Sequence, residues 1–337
     1  MIKFIAEFLD CTKSFVRNNI WEEQSLGKPL QYETGTDAVA LSEAIESPVE
    51  RATWRDFITL TKPGIIRSNL IATFAGFWLA ARWHIDLYSL IMALVGTTLV
   101  MAGACVFNNY YDRELDTKMV RTQNRALPQG KLKPVVVLWY GIVLGLAGLA
   151  VLFTFNGVLA GLFGIVGLVV YAGIYTIWLK RSSTWSTSVG AISGAMPPVI
   201  GYVAASHQVD LGAWMIFAIL FLWQPPHFWA LAIRRVEEYR KAGFPVLPVV
   251  KGVPRTKIQM IPYIALLLPI PAVMYAYGYS GVWFLIIGTA LSVVWLFMAL
   301  RGFGKVNDEK WSKGVFIFSI NYLTLSLIVM FLNTPHL

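Results

Sequence analysis

Residues 87–116 read LYSLIMALVGTTLVMAGACVFNNYYDRELD, and they decide the class of fold. The run from Leu87 to Phe107 is apolar and long enough to cross a bilayer, since a helix needs roughly 20 residues to span a ~30 Å hydrocarbon core. It ends on Asn108-Asn109-Tyr110-Tyr111-Asp112-Arg113-Glu114-Leu115-Asp116. Asn108, Asp112 and Asp116 recur at every fourth position, so a helix stacks them along one face. Lys and Arg, not acids, set the orientation of a span. Carboxylates at its mouth therefore call for a chemical reason. Oxygen ligands of this kind suit Mg²⁺, which commonly bridges protein carboxylates to substrate phosphates. The stretch predicts a membrane helix whose end handles a diphosphate.

The rest of the chain agrees with that class. Hydrophobic residues make up 56% of 337, charged residues only 14%, and the mean hydropathy is +0.59. Such a composition excludes an ordinary water-soluble enzyme of this length. Nine apolar runs of spanning length are visible, near 64–82, 87–107, 135–154, 157–178, 187–205, 211–232, 258–277, 280–300 and 315–333. The expected fold is all-α, a polytopic membrane protein of nine transmembrane helices, because lipid tolerates only spans that satisfy their own backbone.

Charge then orients the bundle. Of the 28 Lys and Arg residues, 27 fall in the tail and in the loops 108–134, 179–186, 233–257 and 301–314; the opposite loops hold only Arg82. By the positive-inside rule the N-terminus is cytoplasmic and the C-terminus lies on the outer side. The net +9 is thus a topology signal and not a nucleic-acid signal. Residues 1–60 read as a polar cytoplasmic extension, with Ile5, Phe8, Leu9 and Phe15 on one face of a short amphipathic helix and a flexible linker over 22–50. The membrane domain is expected over 61–337. Glu7, Asp10, Glu22 and Glu23 argue against a mitochondrial presequence, so a bacterial plasma membrane is favoured over the mitochondrial inner membrane. Cys11 and Cys105 form no metal or redox spacing and are expected to be free thiols.

Two long loops on the cytoplasmic side resemble each other. Asp112 to Asp116 leads through Arg121 and Arg125 to Leu127-Pro128 and Gly130-Lys131; Arg234 to Lys241, with Glu237, Glu238 and Tyr239, leads to Leu247-Pro248. Four spans separate them, the pattern of a duplicated four-helix unit presenting two facing half-sites. Carboxylate-held Mg²⁺ on one side and Arg or Lys on the other neutralise a diphosphate and activate it as a leaving group. Asn108, Asp112, Asp116 and Glu238 are the metal candidates, and Arg121, Arg125, Lys131 and Lys62 the phosphate candidates. For the basic residues, plain topology charges remain an equal reading.

Polar groups inside the spans give a further clue. Trp223-Gln224-Pro225-Pro226-His227-Phe228 places two prolines in the sixth span, where they are expected to break the helix and turn His227 inward. Metal ligation, substrate contact and simple satisfaction of freed carbonyls all remain open for that histidine. Met196-Pro197-Pro198 repeats the broken-helix theme, and Gly141/Gly145, Gly157/Gly161 and Gly190/Gly194 read as close helix packing. His207 falls in a short outer loop and reads as exposed.

These segments resemble the intramembrane prenyltransferases of the UbiA type. The first motif is Asn108-Asn-x-x-Asp112-x-x-x-Asp116 followed by Arg121-Thr-x-Asn-Arg125. Leu60-Thr-Lys62-Pro63, Trp223-Gln-Pro-Pro-His227-Phe and Glu238-Tyr239-x-x-Ala-Gly243-x-Pro245-x-Leu247-Pro248 match the branch that prenylates heme. The resemblance implies nine helices around a central cavity open to lipid, capped by the two motif loops. It implies farnesyl transfer from farnesyl diphosphate to a vinyl group of heme B with addition of water, giving heme O and diphosphate. With it come Mg²⁺ as cofactor and the lipid bilayer as surroundings, and heme A synthase or a terminal oxidase as the partner receiving the product. Asp112, Asp116, Arg121 and Arg125 take the catalytic roles, and Lys62, Asn109, Lys131, His227 and Tyr239 the substrate contacts, His227 toward heme. Quinone-type members usually carry Asp where Asn109 stands and a fuller acidic second motif. Prenylation of a quinone precursor is the alternative within this chemistry; a secondary transporter and a non-catalytic heme-handling assembly factor are the alternatives outside it.

Overall fold

The computed structural model describes residues 52–119 and 122–336. The tail helix expected around Ile5–Phe15, Cys11 and Arg121 lie outside them. Among the described residues all regular structure is helical, and nine helical spans are long and apolar enough to cross a membrane. In chain order the elements are α1 (Trp54–Leu60), α2 (Pro63–Ala81), α3 (Leu87–Asp116) and α4 (Pro134–Val151), the last continued by a π-helical turn, Leu152–Asn156. Next come α5 (Val158–Leu168), continued by a π-helical stretch, Val169–Leu179, then α6 (Ser186–Gly194), α7 (Met196–Ser206) and α8 (Leu211–Arg234). The short α9 (Val236–Lys241) and α10 (Leu247–Val250) precede α11 (Gly252–Ala265), α12 (Ile270–Ala276), α13 (Val282–Arg301) and α14 (Asp308–Leu332).

Local chemistry starts several of these helices. Asp86 caps α3 by accepting from the backbone N–H groups of Tyr88 (3.0 Å) and Ser89 (3.3 Å). Asp210 does the same for α8 through Gly212 (2.9 Å) and Ala213 (3.2 Å). Pro63 opens α2 in its first turn, where a missing N–H costs nothing. The spans formed by α3, by α6 with α7, and by α8 are mostly buried, while those of α4, α5 and α13 are buried over less than a third of their length. Large apolar side chains such as Trp139, Val143 and Leu146 on α4, and Trp283 and Phe297 on α13, face outward. An apolar belt of this extent belongs in lipid, so the chain is an integral membrane protein.

The hydropathy limits agree closely with the spans on the outer side and less well on the charged side. Helix α3 runs on through Asp116, α11 starts at Gly252 and not near 258, and α14 starts at Asp308 and not near 315. Hydropathy marks the hydrocarbon, whereas a helix continues as long as its backbone bonds do. A second difference concerns the prolines. Helix α8 passes through Pro225 and Pro226 without interruption. Neighbouring side chains tie this segment down: Gln224 Nε2 donates to the carbonyls of Leu220 (3.1 Å) and Ala191 (3.3 Å), and Trp223 Nε1 to that of Ser319 (2.6 Å). The Met196-Pro197-Pro198 segment behaves as expected, with α7 restarting there after a turn at Ala195.

Close approach depends on glycine at the α2–α7 crossing. A Cβ built on Gly201 would sit 1.9 Å from the Thr73 carbonyl oxygen, and one on Gly76 would sit 1.9 Å from that of Pro198. Both obstacles are backbone, which cannot swing aside as a side chain can. Gly201→Ala is therefore expected to destabilise the bundle by about 1–3 kcal/mol, read as a lower melting temperature in detergent. An unchanged melting temperature would show that the two helices separate freely.

Helix α1 docks this bundle at its charged end. Thr53 and Asp56 join at 2.8 Å through both the backbone N–H and the hydroxyl of Thr53. Leu60 and Phe57 pack with Val106, Leu127, Leu132 and Val137, and Phe57 meets Tyr140 edge-on with ring centroids 5.4 Å apart. That contact fixes the segment leading into Lys62.

Candidate active site

The end of α3 carries a buried polar cluster. Asn108, Asn109, Asp112 and Asp116 are all buried, although they lie beyond the apolar run. Burying two carboxylates is costly unless each is paired, and each is. Asp112 meets Lys180 Nζ at Oδ2 in a close contact and Arg181 at Oδ1 at 3.4 Å. Asp116 meets Arg125 at 2.6 Å, and its backbone carbonyl accepts from Thr122 Oγ1 at 2.9 Å.

The two asparagines knit these pairs together. Asn108 accepts from Lys62 Nζ at 2.6 Å and donates to Asp112 Oδ2 at 2.9 Å and Thr176 Oγ1 at 3.2 Å. Asn109 accepts from Arg125 at 3.0 Å and donates to the Leu60 carbonyl at 2.7 Å. A row of oxygen ligands on one helix is thus interleaved with Lys62, Arg125, Lys180 and Arg181. Carboxylate and amide oxygens and four basic side chains are held against one another in one buried cluster.

The π-helical stretch Val169–Leu179 delivers Thr176 and then Lys180 and Arg181 to this cluster. Wide i→i+5 turns recur at functional sites because they re-aim side chains. Arg181 also donates to the Tyr111 carbonyl at 2.7 Å and lies over the Tyr111 ring at 4.1 Å, and Lys180 lies 5.0 Å from the Phe244 ring. Neither base is singled out by the sequence, where a Lys-Arg pair after a span reads as an ordinary topology charge. Their role appears only once the fourth span is set beside the second.

The two charged loops do meet. Met119 and Leu115 pack against Ala242, Phe244, Tyr239 and Val246. Glu238, in α9, has a buried Oε1 without a hydrogen-bond partner. A buried carboxylate oxygen without a partner is free to take a ligand. Lys131 is placed elsewhere, beside Asp56, whose carboxyl is held below the usual range by the Thr53 backbone N–H, by the Thr53 hydroxyl and by that ammonium.

The donor set fits Mg²⁺ in the way that ion is usually held. Among the described residues no three His, Cys, Asp or Glu side chains converge as a complete cage. Mg²⁺ commonly takes one or two carboxylates and completes its shell with water and substrate phosphates. Asp112, Asp116, the Asn108 amide oxygen and Glu238 supply oxygens for such an arrangement.

Lys62 stands apart from the other bases in one respect. It caps α2 in the left-handed region (φ 55°) just before a proline, a strained conformation for a non-glycine residue. Burial pushes its ammonium down to about 8. The charge is therefore present below about pH 8 and lost above it, and an anionic substrate is held less well as the pH rises. We expect kcat/KM for the diphosphate substrate, which reports the free enzyme, to fall above that pH. The fall should vanish in Lys62→Arg; a fall of the same shape in that variant would assign it to another group.

His227 is buried on α8, against α14. Its ring stacks on Trp223 and Phe316, with centroids 4.5 and 4.7 Å away, and Nδ1 lies 2.7 Å from Ser319 Oγ. The inward position is as the sequence predicts, but Ser319 and not a proline-freed carbonyl is the partner. Cys105 is buried and free, and His207 is exposed where α7 ends.

Comparisons with known proteins bear on the family and the fold. A model of the UbiA prenyltransferase family matches residues 69–321. The chain is 46% identical over 272 residues to the protoheme IX farnesyltransferase of Acinetobacter baumannii, covering 80% of this chain and 93% of that protein. It is 44% identical over 313 residues to protoheme IX farnesyltransferase 1 of Bacillus subtilis, covering 90% and 98%. Among solved structures, a digeranylgeranylglyceryl phosphate synthase matches with a TM-score of 0.73 at 16% identity, over 83% of this chain and 97% of that one. A UbiA homolog from Archaeoglobus fulgidus bound to GPP and Mg²⁺ matches with a TM-score of 0.59 at 17% identity, over 82% and 99%.

Proposed function

The chain belongs to the UbiA prenyltransferase family, and from that premise we propose that it transfers the farnesyl group of farnesyl diphosphate to a vinyl group of heme B. The observation that carries the reading is the buried face Asn108–Asp112–Asp116, interleaved with Lys62, Arg125, Lys180 and Arg181. The acceptor follows from the relatives named protoheme IX farnesyltransferase, at 44–46% identity over most of both chains.

In this reading the allylic carbon–oxygen bond breaks and its electron pair leaves with the diphosphate. The terminal vinyl carbon of heme attacks the farnesyl cation, which moves the positive charge to the carbon beside the porphyrin ring. Water adds there and releases a proton, so heme B, farnesyl diphosphate and water give heme O and diphosphate. Charge builds on the departing oxygen as the bond breaks, and Lys62, Lys180 and Arg181 stabilise it there. Asp112, Asp116, Asn108 and Glu238 would hold Mg²⁺, which as a Lewis acid further weakens the bond to the leaving group. Arg125 and Asn109 keep Asp116 in place, Arg121 and Tyr239 contact the diphosphate, and His227 contacts heme. The charge asymmetry of the loops supports a site facing the cytoplasm, and the acids of the tail favour a bacterial inner membrane.

The test is turnover by the purified full chain with heme B, farnesyl diphosphate and Mg²⁺, read by mass spectrometry of the extracted porphyrin. A hydrated, farnesylated heme that disappears with EDTA supports substrate, acceptor and metal together. Product from a quinone precursor and none from heme would move the acceptor assignment.

A further inference from the structure

We infer that Ser319 locks His227 into the tautomer that carries its proton on Nδ1, leaving the Nε2 lone pair for the iron of a heme substrate. The inference rests on the heme-acceptor reading above and adds to it a residue that sets how the acceptor is held.

The argument is one of proton counting. Ser319 Oγ lies 2.6 Å from the Phe316 carbonyl oxygen and 2.7 Å from His227 Nδ1. A carbonyl oxygen has no proton to give, so the short contact with Phe316 needs the serine hydrogen. Turning that hydrogen toward the imidazole would set two oxygen lone pairs against each other at 2.6 Å. The hydroxyl is thus spent as a donor and can only accept from the ring. The hydrogen between Oγ and Nδ1 must come from Nδ1.

With Nδ1 protonated, the neutral ring has its free lone pair on Nε2. No hydrogen bond among the described residues uses that nitrogen. Metal-binding imidazoles are nearly always held this way, with the far N–H given to a fixed acceptor that sets ring angle and basicity. The acceptor here is itself rigid. Ser319 is fully buried, and its backbone carbonyl takes the Trp223 indole N–H at 2.6 Å. Trp223 and His227, one turn apart on α8, are both fastened to this one residue of α14, and the Trp223 ring also stacks on the imidazole. Such an anchor is more than packing requires, since a histidine without a role could be replaced by an apolar side chain of like size.

The experiment uses the full chain in detergent, loaded with ferrous heme B and read by resonance Raman spectroscopy and by heme titration. The wild-type complex should show an iron–histidine stretching band that is absent from His227→Ala. In Ser319→Ala, which removes one oxygen and leaves the helix intact, the band should move to lower frequency. Heme affinity should fall by about ten-fold or more, the scale on which such supporting partners act. Affinity for farnesyl diphosphate should be unchanged. Ser319→Thr keeps the hydroxyl and should restore the band. An unmoved band in Ser319→Ala, with the His227→Ala loss intact, overturns the role of Ser319 alone. A band that persists in His227→Ala overturns both this inference and the heme contact on which it rests.

Discussion

Asp112→Asn will lower kcat/KM for farnesyl transfer by on the order of 10²–10³-fold while the protein stays folded. The figure corresponds to losing about 3–4 kcal/mol of transition-state stabilisation, a reasonable size for one charged ligand at a leaving diphosphate. Two effects act together. The variant removes a negative oxygen from the proposed metal site, and it releases Lys180 and Arg181 from the geometry that Asp112 imposes. Breaking a fully buried ion pair can itself unfold a protein, at 3–5 kcal/mol. Here the Lys180 and Arg181 side chains keep 23% and 32% of their exposure, so water can solvate them once Asp112 is neutral. Melting temperature in detergent should therefore drop far less than activity. The measurement is initial-rate heme O formation beside thermal unfolding of the same preparations. Near-normal turnover by Asp112→Asn would remove this residue from the chemistry, whatever its partners.

Much of this was legible in the chain itself, and the reason is that lipid is a strict solvent. A span must be apolar throughout, so Pro63–Ala81 and Val282–Arg301 emerge from hydropathy almost to the residue. The same test is blind to helix that continues past the hydrocarbon, as α3 does to Asp116 and α14 does from Asp308. The i, i+4, i+8 spacing of Asn108, Asp112 and Asp116 located half of the candidate site, because helical periodicity relates neighbours along one segment. It cannot relate segments to each other. Lys180 lies 68 positions from Asp112, and nothing local marks it as a partner. Ser319 is hidden for a different reason, since a lone serine in an apolar span usually just returns its hydrogen bond to its own helix, and Ser319 does this too. Pro225 and Pro226 misled in the opposite direction. Their local rule predicts a break, and tertiary bonds from Trp223 and Gln224 hold the helix through it.

Mg²⁺ and the diphosphate should bind as a coupled pair, each raising the affinity for the other by roughly 5- to 150-fold, the range of ordinary coupling free energies. In this structure the oxygen ligands and the cations satisfy one another. Asp112 is held by Lys180 and Arg181, Asp116 by Arg125, and Asn108 by Lys62. A metal ion arriving alone must compete with those cations, and a diphosphate arriving alone must compete with the carboxylates. Arriving together they exchange partners, metal to carboxylate and phosphate to base, without leaving a buried charge unpaired. Calorimetric titration of Mg²⁺ with and without a non-ionising farnesyl thiodiphosphate measures the coupling directly. By reciprocity the same factor must appear when the order of addition is reversed. Lys180→Met separates this account from simple metal bridging. It frees Asp112 from its closest cation, so Mg²⁺ alone should bind more tightly than to wild type, while the thiodiphosphate binds more weakly and the coupling shrinks. Bridging by the metal alone predicts no gain in metal affinity in that variant, and finding none would return Lys180 to a purely phosphate-binding role.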